Sequence, residues 1–329
     1  MLGRMLALAL CMSLLSAPAR AAAADFYRGQ TLTYIVATGP GGVYDLQARM
    51  IARFLPKYLP VSRVLVKNVP GAGHIVGANT LYVAKPDGLT VGTFNTGLIY
   101  DQLLDRPGRR FDLVKMNFIA KATNDTRVLM IAANSGFKTF DDLYASRTPA
   151  KFGAAGIGSA SYIETRIVEN ALRLPLQIVT GFEGTEADLS MLRREIVAQV
   201  GTAGSLEPFV KRGGGFFALV LTDNNAYPNV KRASSYAKDD AGRRLLGLVS
   251  TLSHMGRLTA APPGVPPERV AALRDAFLAT MKDPGYVAQA NTLYMPLEPA
   301  HGRDVQAMVN RALNQPPETI AALKLAASK

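Results

Sequence analysis

The sequence predicts an α/β protein of two lobes, each a mostly parallel sheet flanked by helices. Three observations carry this. Thr33 to Met50 reads as a buried strand (Tyr34-Ile35-Val36-Ala37), a tight Gly39-Pro40-Gly41-Gly42 turn, and a helix opening near Tyr44 and Asp45. The same device recurs at Lys151 to Arg166, where Phe152-Gly153-Ala154 runs into Gly156-Ile157-Gly158-Ser159 and another helix. Around both, apolar runs alternate with amphipathic stretches in the order of βα units.

Taken along the chain, strands are expected at Thr31 to Ala37, Val64 to Asn68 and Thr90 to Asn95, with helices over Tyr44 to Tyr58 and Ile75 to Val83. Further strands follow near Phe118 to Ala122, Val128 to Ala133, Lys151 to Ala155, Gln177 to Thr180, Val197 to Val200 and Phe217 to Thr222. Helices fall between them over Phe140 to Ala145, Ser161 to Leu172, Thr185 to Arg193 and Leu206 to Lys211. Strands flanked on both sides by helices imply two-faced sheets. The Ala261 to Pro267 stretch is a rigid turn, and Glu268 to Lys282 then places Val270, Leu273, Phe277 and Met281 on one helical face,. Helices around Pro284 to Asn291, Gly302 to Leu313 and Pro317 to Ala327 complete the chain.

Polar and turn residues cluster at Asn117 to Arg127 and again at Asp223 to Val230, which reads as two crossings between lobes,. The expected division is residues 1–24 as a leader, 25–122 with 225–329 as the first lobe, and 123–224 as the second.

The 329 residues suffice for two domains, and 48% hydrophobic against 19% charged residues exclude a disordered chain,. Residues 1–24 have the form of a secretory signal: Arg4 supplies the positive charge, Met5 to Leu15 is apolar, and Ala22-Ala23-Ala24 fits the cleavage rule,. Cleavage is expected after Ala24. The apolar stretch falls short of the roughly 20 residues that span a bilayer, so no stable membrane insertion is expected. The one cysteine, Cys11, lies inside this segment behind Leu10, a poor residue for a lipidation site, and the mature chain therefore has no thiol or disulfide chemistry,. The formal charge of +12 becomes +10 without Arg4 and Arg20. The cations are scattered in pairs such as Arg109-Arg110 and Arg193-Arg194, which suits a solvated basic surface and not nucleic acid,.

The candidate site residues lie at strand exits. A helix start leaves backbone N–H groups free, a ready seat for an anion. Thr38, Gly39, Pro40, Gly41 and Gly42 form the first seat, and Gly156, Gly158, Ser159 and Ser161 the second. Asp45 either caps its helix, organises the first turn, or takes a hydroxyl or ammonium group of a solute. Tyr44 either walls the pocket or belongs to the core. Asn95, Thr96 and Gly97 follow a strand at its carboxyl end, where open sheets place ligands, or cap the next helix. Thr180, Phe182, Thr202 and Ala203 stand at further exits, with Gly204 and Ser205 beside them.

Other chemistries find no support. His74, His254 and His301 are widely separated, which disfavours a metal site, and His74 reads as structural beside its glycine turn,. There is no nucleophile elbow, P-loop or dinucleotide fingerprint, so no catalytic residue and no cofactor is expected.

The order of motifs resembles a known family. Gly39-Pro40-Gly41-Gly42-Val43-Tyr44-Asp45, then Asn68-Val69-Pro70-Gly71-Ala72-Gly73, then Pro86-Asp87-Gly88 before a strand are similar to the opening of the Bug, or tripartite tricarboxylate transporter receptor, family. Gly156-Ile157-Gly158-Ser159, Gly181-Phe182-Glu183-Gly184 and Ala261-Pro262-Pro263-Gly264-Val265-Pro266 resemble its later landmarks. The resemblance implies a type II-like, two-lobed periplasmic binding protein, monomeric and without catalysis. Such a receptor closes over a small carboxylated solute and delivers it to transporter membrane subunits. It also implies that the two facing loops hold the carboxylate largely through backbone groups and ordered water. Departures occur where many relatives have Tyr-Lys-Gly and this chain has Phe182-Glu183-Gly184, and at Gly201, where an acidic residue is frequent. The rival readings are a periplasmic sensor that docks a signalling protein, and an exported hydrolase.

Overall fold

The computed structural model describes residues 25–182, 186–223 and 225–328. The expected leader and the Glu183-Gly184 pair lie outside the described residues.

Two mixed sheets organise the chain. The first comprises β1 (Thr31–Val36), β2 (Arg63–Asn68), β3 (Thr90–Phe94), β4 (Asn117–Thr123), β10 (Gly256–Ala261) and β11 (Ala300–His301), in the order β11-β4-β10-β3-β1-β2. The second comprises β5 (Arg127–Ala132), β6 (Ala150–Ala154), β7 (Leu176–Thr180), β8 (Ala198–Thr202) and β9 (Gly215–Val220), in the order β7-β6-β8-β5-β9. Both repeat one scheme: three strands of a parallel βα core, then a strand of opposite sense, then a fourth strand running with the core. The reversed members are β10 and β5, strands that follow a crossing, and β11 also runs against its neighbour β4. The mostly parallel expectation therefore holds for strand direction, while the pairings around β10 and β5 are antiparallel.

Burial follows position in the sheet. β5, with the sequence Arg-Val-Leu-Met-Ile-Ala, and β10 are buried along their whole length between two neighbours. The edge strand β2 alternates exposed with half-buried residues, as expected of a strand covered on one face,.

Helices α1 (Val43–Phe54), α2 (Ile75–Tyr82) and α3 (Gly97–Leu103) follow β1, β2 and β3. In the second lobe α4 (Phe140–Ala145) opens with a capping box from Thr139, and α5 (Ala160–Leu172), α6 (Glu186–Leu192) and α7 (Ala203–Lys211) follow β6, β7 and β8. Then come α8 (Asp240–Ser253), α9 (Pro267–Lys282), α10 (Pro284–Thr292), α11 (Gly302–Leu313) and α12 (Pro317–Ala327). The sequence reading expected a helix after Gly97 but gave no bounds for α3, and did not anticipate α8, β10 or β11.

The chain passes from β4 in the first sheet to β5 in the second through residues 124–126. The return is later than the expected Asp223 to Val230 stretch. Residues 225–253 pack on the second lobe: Val220 bridges Arg232, Lys238 N–H donates to Ala171 O at 3.0 Å, and α8 packs against α5. The chain re-enters the first sheet only at Gly256. The polar Asp223 to Val230 segment is thus a surface excursion of the second lobe. α12 also packs on α5 and α8, so the carboxyl end of the chain clasps the second lobe.

One core cluster is continuous across both lobes, joining Ile35, Leu98 and Phe94 to Leu129, Ile163, Val249 and Leu323. A second lies under α1 and α9, where Tyr34 meets Phe277 edge-on at 5.8 Å, and a third under α6 and α7 around Met130 and Phe209.

Candidate functional site

The first glycine turn is fastened by Asp45. Gly41, at φ +85, donates its N–H to Asp45 Oδ2 at 2.9 Å, and Arg49 Nε donates to the same oxygen at 2.9 Å. Asn68 Nδ2 donates to Asp45 Oδ1 and to Thr38 O, both at 3.0 Å. Both carboxylate oxygens are thereby used within the lobe. Burial works against the charge of Asp45, yet the hydrogen bonds from Arg49, Gly41 and Asn68 outweigh it and hold the carboxyl below its ordinary range,. Asp45 is therefore the organiser of the turn. Gly42 is the N-cap of α1, and the N–H groups that follow it have no partner inside the helix,.

The second turn is built from hydroxyls. Gly158 sits at φ +90, and Ser159 caps α5 by accepting from Tyr162 N–H at 3.2 Å. Ser161 Oγ accepts from Ala155 N–H at 3.1 Å and lies 3.1 Å from Ser159 Oγ.

A third turn brings these two together. Residues 71–74 have four successive positive φ angles, 132, 47, 63 and 86°, in Gly71, Ala72, Gly73 and His74. Two of the four are not glycine, and such strain persists only where surrounding contacts impose it. A Cβ on Gly73 would lie 2.8 Å from Ser159 N, and one on Gly97 would lie 3.0 Å from Ala160 N. The first lobe thus presses two turns onto the start of α5, with room for hydrogen only.

His74 links the parts. Its ring meets Tyr44 edge-on at 5.6 Å, and its Nδ1 accepts from Asn95 N–H at 3.3 Å. Asn95 Nδ2 lies 3.2 Å from His74 Nε2, and Asn95 Oδ1 accepts from Gly97 N–H at 2.8 Å. Burial lowers the ring to about 4, so His74 is neutral near pH 7,. Asn95 caps the start of α3, and Thr96 beside it is buried without a capping bond from its side chain.

The remaining candidates lie elsewhere in the second lobe. Thr202 Oγ1 donates to Ser205 Oγ at 2.7 Å and Ala203 N–H to Thr126 O at 2.8 Å, which fixes the start of α7 against the outward crossing. Thr180 is exposed at the end of the edge strand β7. Phe182 packs beside Gly153 and the third core cluster. Among the described residues, no group of His, Cys, Asp or Glu could hold a metal ion, and no helix is long and apolar enough to cross a membrane.

Residues 47–324 match the model of the tripartite tricarboxylate transporter family receptor. The chain belongs to that family. The receptor is 26% identical over 279 residues to a UPF0065 protein of Bordetella pertussis, with 82% of each chain covered. Its fold resembles the periplasmic binding protein BugD, at 18% identity and a TM-score of 0.75 over 91% of this chain and 98% of that one. It also resembles MatC from Rhodopseudomonas palustris, solved with bound malate, at 20% identity and a TM-score of 0.69 over 87% and 98%. The family is one of receptors, and two-lobed periplasmic binding proteins share the architecture of this receptor.

Sequence reasoning missed the charged floor between the lobes. Arg127 and Glu164 form a buried ion pair, with Arg127 Nε donating to Glu164 Oε2 at 2.6 Å. Burial opposes the Arg127 charge, but Glu164 and Asp125 keep the guanidinium firmly protonated. Asp125 and Arg257 are buried on the two crossing segments nearby. The available signal was a charged residue opening an otherwise apolar strand, as in Arg127-Val128-Leu129-Met130-Ile131 and Arg257-Leu258. A charge so placed demands a partner.

Proposed function

We propose that this receptor captures a small organic acid between its lobes outside the cytoplasm and hands it to the membrane subunits of a tripartite transporter, without catalysing a reaction. One observation carries the reading: the start of α5, capped by Ser159, abuts the turns of the first lobe that carry Gly73, Asn95 and Gly97, with Tyr44 joined to them through His74. Backbone N–H groups at helix starts complement a carboxylate without bringing a second buried charge. The malate bound to MatC is an acid of the expected kind.

In this reading Gly39 to Gly42 and Tyr44 supply the seat of the first lobe, and Gly156, Gly158, Ser159 and Ser161 that of the second. Thr38, Asn95 and Thr96 line the floor between them. The lobes turn about the crossings near residues 123–127 and 253–257, and the solute favours the form in which both seats meet. Cleavage after Ala24 releases the receptor as a monomer.

The test is a thermal-shift panel of organic acids on the mature protein. A ligand that binds only the folded form raises the melting temperature, so at least one mono-, di- or tricarboxylate is expected to do so. A folded protein that no acid stabilises overturns the reading.

A further inference from the structure

A cavity of about 670 Å³ opens between the lobes beside the crossings, bounded by Asp125 and Arg257, by the start of α7 at Ala203 and Gly204, and by the loop after α10. Most charges on its wall are already matched. Glu207 pairs with Lys211 at 3.1 Å, and Glu298 lies 3.7 Å from Lys121.

Arg257 and Asp125 are the exceptions. Arg257 is 3% exposed, yet its one hydrogen bond is a long 3.4 Å contact from Nη1 to Gln47 Oε1, and it makes no ion pair among the described residues. Arg257 lines the cavity. The residue also holds φ +52, a costly angle for a side chain with a Cβ,. Asp125 is 6% exposed and lies against Gly256; its charge acts on Arg127 and Lys121, but among the described residues its carboxylate takes no side-chain hydrogen bond and no salt bridge within 4 Å. A guanidinium and a carboxylate so deeply buried are normally hydrogen-bonded to each other or to something else. Here both face one void.

Resting on the organic-acid reading above, we infer that Arg257 and Asp125 form a two-point recogniser for an acid that also carries a hydroxyl or ammonium group. The guanidinium receives a carboxylate of the solute, and the Asp125 carboxylate accepts a hydrogen bond from its O–H or N–H donor. The start of α7 supports the first contact. Gly204 lies close enough to Arg257 for a Cβ there to sit 3.9 Å from Nη2, so an anion on the guanidinium also lies at the positive end of that helix, where the Ala203 N–H is already given to Thr126 O,. The pair also sits where the lobes pivot, with Asp125 on the outward crossing and Arg257 on the return strand. Occupancy therefore acts on the two crossings at once.

The experiment is calorimetric titration of the mature receptor, its Arg257→Gln and Arg257→Lys variants, and Asp125→Ala, with matched acids. One set is succinate, malate and aspartate, and the other is 3-phenylpropanoate, phenyllactate and phenylalanine. In one set the donor-bearing acids are expected to bind the unmodified receptor about tenfold or more tighter than the acid lacking the donor, the worth of a hydrogen bond to a charged group. Asp125→Ala removes that preference and leaves the donorless acid nearly unchanged. Arg257→Gln weakens all members of the set by about a hundredfold, and Arg257→Lys, which keeps charge without the bidentate fork, falls between and serves if the Gln variant does not fold. An unmodified receptor that binds acids with affinities indifferent to both substitutions, or that prefers the donorless acid, overturns this inference and leaves the organic-acid reading standing. A receptor that binds no acid of either set or of the wider panel overturns both.

Discussion

The backbone N–H of Asp125 donates to the carbonyl of Ser253 at 2.7 Å, which ties the outward crossing to the return crossing at the level where Thr123 pairs with Gly256. The two segments share one narrow passage. A Cβ on Gly256 would stand 2.8 Å from Thr123 O and 2.7 Å from Asp125 Oδ1. Gly256→Val therefore forces the strands apart, and a cost of about 1–3 kcal/mol is expected from overpacking at a site that cannot yield. The midpoint of urea unfolding should fall accordingly. An unchanged midpoint shows that the crossings can separate freely.

Gly73 makes a different demand, because its near neighbour belongs to the other lobe. Its φ of +63° strains any side chain by about 1–2 kcal/mol,, and its Cβ would meet Ser159 N when the lobes touch. Gly73→Ala should thus cost modest stability in the empty protein but at least about tenfold in solute affinity, since the clash arises only when α5 approaches. Calorimetry alongside circular dichroism checks it. Equal losses in stability and affinity would indicate a purely local strain.

The parts of the fold that sequence reveals are those whose environment is set locally. β5 carries an uninterrupted apolar run after Arg127 and β1 a run from Tyr34 on, and the glycine turns at 39–42 and 156–158 announce a strand feeding a helix. β10 stayed hidden because Gly-Arg-Leu-Thr-Ala-Ala has small and charged residues where a central strand usually shows branched apolar ones,. Its burial comes from neighbours distant in sequence. The site divides in the same way. Asp45 could be placed at its helix start, but that Asn68 consumes one of its oxygens depends on the register of β1 with β2. His74 beside a glycine turn reads as structural, and only the folded chain puts it between Tyr44 and Asn95.

His74 should make stability pH-dependent. Buried, it titrates at about 4, against 6.5 for the free ring. The unfolded chain takes the proton as pH falls through 6.5, while the folded chain resists until about 4. The stability contributed by the neutral ring is therefore complete above pH 6.5, declines between 6.5 and 4, and changes no further below. Protonation of Nδ1 also breaks its bond from Asn95 N–H. His74→Asn tolerates the left-handed backbone angle and should flatten this part of the melting-temperature profile relative to the unmodified protein. Parallel profiles for the two proteins would assign the acid sensitivity elsewhere.

Gly42 and Ser159 allow the two seats to be tested one at a time. Gly42 has the extended backbone of an N-cap, and no atom lies within 4 Å of where its Cβ would be. Valine fits there without a clash and projects over the free N–H groups, at a cost to the helix of about 1 kcal/mol. Ser159→Ala removes the cap to Tyr162 N–H and the contact with Ser161 Oγ, again costing about 1 kcal/mol,. Both variants should remain folded by circular dichroism, and each should bind the solute about tenfold or more weakly, as expected when a charged group loses a hydrogen bond. If both retain full affinity, the carboxylate is held somewhere other than these helix starts. If only Ser159→Ala loses affinity, the first turn serves to position Tyr44 and the anion rests on α5 alone.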